Sequence, residues 1–187
     1  MPTRNLYLTG GRSMRAGSGI CVFLSHRSAD KHIAYALASA FDVCGIDYYL
    51  DANDDYLQAA AAEGDADRVV QAIERGIANS THLLGIITPA TRGSWWVPFE
   101  IGFSRATEHA LNARWRNGDR PYDRTAYLVE PSVQDLPEFI KISTVISDQT
   151  ALQRWLRVLL PGFGALPAAL QDPKFLPTSR TMMFKPR

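Results

Sequence analysis

The chain has 187 residues, 46% of them hydrophobic and 21% charged, with 20 basic against 19 acidic side chains and a formal net charge of +1. That apolar share can fill a core, which excludes a disordered chain or a disulfide mini-scaffold, and the balanced charge argues against a dedicated nucleic-acid binder. No run of about 18 apolar residues occurs, so no membrane-spanning helix is expected.

Residues 1–19 are rich in Gly, Ser and Arg and read as a flexible N-terminal arm. They have basic residues but no apolar run, so no secretory leader is expected and the location is read as cytoplasmic. Residues 20–24 (ICVFL) form a short unbroken apolar run, the signature of a strand buried on both faces. A polar break at Ser25–Ser28 precedes a helical pattern of Ile33, Leu37, Phe41 and Cys44, with Ser28 placed as its N-cap and Gly45 just past its end. A second strand follows over 46–50 (IDYYL).

Next comes a long acidic segment over 51–67, whose four alanines, Ala59 to Ala62, can form a short helix. Val69, Ile73 and Ile77 mark another helix, and residues 82–87 (HLLGII) a third strand. After a loop over 88–94, Phe99, Phe103 and Ala106 mark a helix beginning around Trp95 to Val97, with Phe99 and Phe103 assigned to the core. Strands at 125–129 and 144–147 and a helix marked by Leu152, Trp155, Leu156 and Leu159 complete the alternation. Residues 161–187 hold Pro161, Pro167, Pro173, Pro177 and Pro186, a spacing that prevents a long helix. The expected organisation is a flexible arm over 1–19, one domain over 20–160 and a Pro-rich extension over 161–187.

Strands alternating with helices imply right-handed crossovers and a parallel sheet covered on both faces. Five such units fit an α/β, flavodoxin-like, doubly wound five-stranded parallel sheet. Ligands of such sheets bind beyond the carboxyl ends of the strands, where strand order reverses. The loops to watch are therefore those after the first four strands.

Several chemistries are unsupported. Gly17 and Gly19 precede the first strand, whereas a dinucleotide-binding glycine turn must follow it, and there is no P-loop. No G-x-S-x-G elbow surrounds Ser25 and His26. The four histidines and the cysteines Cys21 and Cys44 have no common zinc spacing, so no metal is expected; both cysteines read as small buried hydrophobes in a reducing compartment.

The informative stretch is SWWVPFEIG over 94–102. Pro98 fits the first turn of a helix, which places Glu100 near the helix N-terminus, where the macrodipole favours its ionised form. Trp96 lies four residues earlier, one turn away on the same face. Such a pair can be a carboxylate beside a large aromatic at the ligand end of the sheet, or simply a capping carboxylate with a packed Trp.

In order and content the chain resembles the bacterial form of the Toll/interleukin-1 receptor (TIR) domain family, over about residues 20–160. The resemblance rests on VFLSH followed by SAD (22–30), on YYLD (48–51), and on WVPFE (96–100), which is similar to the family's Trp-x-x-x-Glu motif. It implies that Glu100 is catalytic in cleaving NAD between nicotinamide and ribose, with NAD as substrate and no cofactor. It also implies that Ser25, His26 and Arg27 help bind the nucleotide, that Asp51 fixes a ribose and that Trp96 stacks on nicotinamide. The residues alone leave alternatives: Arg27 as a solvated cation, His26 as a cap on the first helix, Asp51 as a turn opener. Glu130 offers a second carboxylate.

The resemblance further implies self-association through TIR–TIR contacts, with the acidic segment meeting Arg105, Arg114 or Arg116 of a neighbouring copy. It points to the enzyme of Thoeris-type anti-phage systems, which makes a cyclic ADP-ribose-type or ADP-ribose-conjugate signal read by a separate effector. The competing readings are a non-catalytic TIR scaffold and a nucleoside deoxyribosyltransferase-like enzyme.

Overall fold

The structure, a computed structural model, describes residues 19–112, 124–162, 164, 165, 168 and 171. Almost all of the arm over 1–19 and most of the extension over 161–187 lie outside the described residues, as do Arg114 and Arg116.

Five strands, β1 (Cys21–Ser25), β2 (Asp47–Tyr49), β3 (His82–Ile87), β4 (Thr125–Val129) and β5 (Thr144–Ile146), form one parallel sheet in the order β2-β1-β3-β4-β5. The expected α/β doubly wound architecture is present. The chain runs outward in opposite directions from β1, so strand order reverses between β1 and β3. Right-handed crossovers then force the helices onto opposite faces.

One face carries α1 (Lys31–Cys44) and α6 (Gln149–Leu159), whose Leu37, Phe41, Leu152, Trp155 and Leu156 cover Val22, Leu24, Leu84, Ile86 and Leu128. The other carries α2 (Asp55–Glu63), α3 (Ala66–Asn79), α4 (Trp96–Asn112) and α5 (Glu138–Lys141). There Ile73, Ile77, Val97, Ile101 and Ile140 cover Phe23, Tyr49, Leu83, Ile87 and Tyr127. Every residue of β1 and β4 is buried, which is why residues 20–24 read as a continuous apolar run rather than an alternating one.

Gly45 closes α1 in the left-handed conformation, φ 70°, with its amide donating to the carbonyls of Phe41 and Asp42. Ser28, in contrast, is not the N-cap. It begins a 3-10 turn, Ser28–Asp30, and α1 starts at Lys31 with Asp30 in the cap position. Cys44 is only half-buried, unlike Cys21, and both are free thiols.

The acidic segment is largely helical. Asp54 caps α2 by accepting from the amides of Tyr56 (3.0 Å) and Leu57 (3.2 Å), and Asp65 caps α3 by accepting from Arg68 (3.0 Å). The alanines fall inside α2, as anticipated. The guanidinium groups of Arg68 and Arg75 both lie over the Tyr56 ring, 4.9 and 4.7 Å from its centre, and tie α2 to α3.

The expected core face of α4 is corrected. Val97, Glu100, Ile101 and Ser104 are buried, whereas Phe99 is 37% exposed and Phe103 only half-buried. Positions 97, 101 and 104 make one helical stripe, and 96, 99 and 103 make a neighbouring one. On the latter, Trp96 meets Phe99 edge-to-face at 5.8 Å and Phe99 stacks on Phe103 at 6.3 Å. Among the described residues no helix is long and apolar enough to cross a membrane.

Candidate active site

Ser25 is the last residue of β1 and shares the strand face of Phe23, because side chains alternate. That face looks at α4. Its register partner on β3 is Gly85, where a Cβ would stand 3.2 Å from the Tyr127 ring and 3.6 Å from Ile101 of α4. The tight neighbour there is the Tyr127 ring of the adjacent strand, while Ile101 of α4 lies at ordinary contact distance beside the point where strand order reverses. Ser25 Oγ then donates to Glu100 Oε2 at 2.6 Å. Both side chains are buried, Ser25 at 1% and Glu100 at 7% exposure.

Glu100 is the fifth residue of α4, beyond the four free amides of the helix end. The expected dipole effect is overridden: burial pushes its pKa up to about 8, the charge of Asp51 pushes the same way, and the Ser25 hydrogen bond opposes both. The free chain therefore holds a largely protonated Glu100 at neutral pH.

His26 does not cap α1. Its Nδ1 lies 3.0 Å from the Leu24 carbonyl, which can only accept, so Nδ1 carries the proton and donates. Its Nε2 stands 3.6 Å from Asp51 Oδ1. Asp51 opens the 3-10 turn Asp51–Asn53 after β2, where Oδ1 also accepts from the Ala52 amide at 2.7 Å. Ser25, His26, Asp51 and Glu100 thus converge on the carboxyl ends of β1 and β2. Among the described residues no three metal-ligating side chains gather into a metal site.

Arg27 and Trp96 contact residues outside this cluster. The half-buried Arg27 donates through Nη1 to the Ala90 carbonyl, in the 3-10 turn Pro89–Gly93 after β3. Trp96 opens α4, is 42% exposed, and has its ring contact with Phe99; its neighbour Trp95 is 92% exposed. Glu130 is exposed beyond β4, accepting from Ser132 at 2.5 Å.

One further expectation changes. Asp54 is 1% exposed and also accepts from Tyr49 Oη at 2.8 Å, so it is part of the fold and not a surface charge for a neighbouring copy. The half-buried Arg105 donates to Ser143 Oγ at 2.8 Å. Sequence reasoning missed Asp30, whose buried carboxylate accepts from Thr88 Oγ1 at 2.9 Å across the strand-order reversal. The run from Thr88 to Thr91, with Pro89 at its first turn, carried a local capping signal for the 3-10 turn. Nothing local pointed to its partner 58 residues away.

A family model described as "TIR domain" matches residues 22–117, about half of the chain. No curated protein matches. Among solved structures, the TIR domain of the Toll-related receptor TRR-2 from Hydra magnipapillata is similar, with a TM-score of 0.53 at 12% identity, covering 76% of this chain and 96% of that one. At that identity the likeness speaks for the fold alone, which agrees with the sheet order and helix layers described above. With the family model spanning half its length and the sheet in this order, the chain belongs to the TIR domain family.

Proposed function

We propose that this chain cleaves the nicotinamide–ribose bond of NAD, with Glu100 as the catalytic carboxylate. The observation that carries the reading is the buried Ser25–Glu100 pair at the strand-order reversal, with His26 and Asp51 beside it. In the reaction the bond between ribose C1′ and the pyridinium nitrogen breaks. Its electron pair returns to the ring, and nicotinamide leaves neutral, so no general acid is needed. The ribose becomes an oxocarbenium-like cation. A carboxylate fixed beside it stabilises that charge far better than solvent does.

The cationic pyridinium ring itself favours the ionised form of Glu100, so substrate entry lowers the pKa that burial had raised, and the released proton goes to solvent. Trp96 offers a stacking face, Arg27 a cation for the diphosphate and Asp51 an acceptor for ribose hydroxyls. The nucleophile sets the product. Water gives ADP-ribose, a group of the same molecule gives a cyclic isomer, and an amino acid gives a conjugate.

By family resemblance the setting is cytoplasmic anti-phage defence, with self-associated TIR domains making a nucleotide signal for a separate effector. The test is mass spectrometry of the full chain incubated with NAD, with and without lysate of infected cells. Nicotinamide together with an ADP-ribose product supports the reading. Intact NAD at every protein concentration, with partners captured by domain contact, would favour a scaffold, and base release from free deoxynucleosides would favour a deoxyribosyltransferase.

A further inference from the structure

We propose that Gly93 and Thr88, in the turn between β3 and α4, are positioning residues that hold the β1–α1 loop in place through Arg27 and Asp30; the inference rests on the catalytic reading of Glu100. Two contacts join the loops. Arg27 Nη1 donates to the Ala90 carbonyl, and Thr88 Oγ1 donates to Asp30 Oδ2 at 2.9 Å. The first loop follows directly on Ser25 and His26, and the second leads directly into the helix bearing Glu100. Tying them fixes the Ser25–Glu100 distance from both sides.

Gly93 is where Arg27 rests. A Cβ at that position would stand 2.7 Å from Nη1 and 3.2 Å from both Cζ and Nη2, so the guanidinium lies against the bare Cα. Gly93 is exposed and its φ lies outside the left-handed region, so neither packing nor backbone strain calls for glycine there. The nearest atoms in conflict all belong to Arg27, whose guanidinium would have to shift.

Asp30 makes the same point from the other side. It occupies the N-cap position of α1, where an aspartate ordinarily accepts from amides of its own helix, yet its side chain makes no such bond. Its buried carboxylate goes to Thr88 instead. Thr88 also accepts from the Ala90 amide (3.1 Å), and its own amide donates to Thr91 Oγ1 (3.0 Å), so the turn that receives both contacts is itself braced.

The test is a double-mutant cycle on the full chain. Gly93→Ala leaves the fold intact and displaces only Arg27. Gly93→Ala and Arg27→Ala should each lower kcat/KM for NAD by roughly tenfold or more, as misplacement near a reacting centre does, and the double variant should fall no further than the lower single one. Thr88→Ser should retain activity that Thr88→Val loses. In hydrogen exchange, the Asp30 amide, which donates to the Arg27 carbonyl at 2.7 Å, should exchange faster in Gly93→Ala than in wild type. Additive losses, Thr88→Ser as weak as Thr88→Val, or unchanged exchange at Asp30 would overturn the proposal. A wild type that releases no nicotinamide would sink the catalytic reading instead, and the exchange rates would then decide the loop contact by themselves.

Discussion

Replacing Glu100 with glutamine separates what this carboxylate costs the fold from what it does for chemistry. In the folded chain Glu100 holds its proton up to about 8, whereas an unperturbed glutamate releases it near 4.5. Between those values the folded state binds more protons than the unfolded state. Stability from this group is therefore complete below about pH 4.5 and declines as pH rises, by about 1.4 kcal/mol per pH unit, until pH passes the folded value. At pH 7 the loss is on the order of 3 kcal/mol. The glutamine side chain keeps the shape, can accept from Ser25 and has no proton to lose. The stability of Glu100→Gln relative to wild type should accordingly be near zero or slightly negative at pH 5 and rise steadily to pH 8. Urea unfolding of both proteins at pH 5, 6, 7 and 8 measures this, since the other titrating groups largely cancel in the difference. A difference that stays constant across that range would refute the claim that burial dominates the state of Glu100.

The packing and capping assignments make three more predictions, each read by urea unfolding. Ile101→Ala removes a side chain from the core stripe of α4 and should cost about 2–4 kcal/mol, whereas Phe103→Ala, on the half-buried stripe, should cost less; the reverse order would show the helix rotated. Gly76→Ala places a methyl 2.8 Å from the Tyr49 ring, which is itself stacked on Phe23, and should destabilise by about 1–3 kcal/mol; a neutral effect would mean α3 lies further from the sheet. Asp54→Ala removes two amide contacts and the Tyr49 hydroxyl's partner, and should cost about 1–3 kcal/mol, while exposed Asp55→Ala changes stability by less than about 0.5 kcal/mol. Equal effects at the two positions would contradict the buried cap.

Most of the fold was legible because both faces of the sheet are covered. Residues 20–24 read as an unbroken apolar run for that reason, and the helices kept their three- and four-residue spacing. The grouping of the candidate residues followed, since Ser25 ends β1, His26 and Asp51 lie in the loops just after β1 and β2, and Glu100 lies near the start of α4. What stayed hidden depends on contacts between distant segments. Asp54 looked like a surface charge because its local sequence is acidic; only the approach of Tyr49 makes it a buried acceptor. Phe99 and Phe103 looked like core from their helical spacing, yet the buried stripe of α4 runs through Val97, Ile101 and Ser104, and Phe103 packs only at its edge. The ionisation of Glu100 was read from its position along the helix, a local feature, while its burial comes from β1 and β3.

The most direct test of the central claim is nicotinamide release from NAD by wild type and Glu100→Gln, measured as kcat/KM from pH 5.5 to 9. That ratio reports the free enzyme, in which Glu100 must lose its proton before it can face a cation. Wild-type activity should climb with pH and level off above about 8, and the Glu100→Gln variant should lie at least about a hundredfold lower with no such rise. A wild-type profile flat across this range would contradict the raised pKa of Glu100, and a variant close to wild type would contradict the assignment of Glu100 as the catalytic carboxylate.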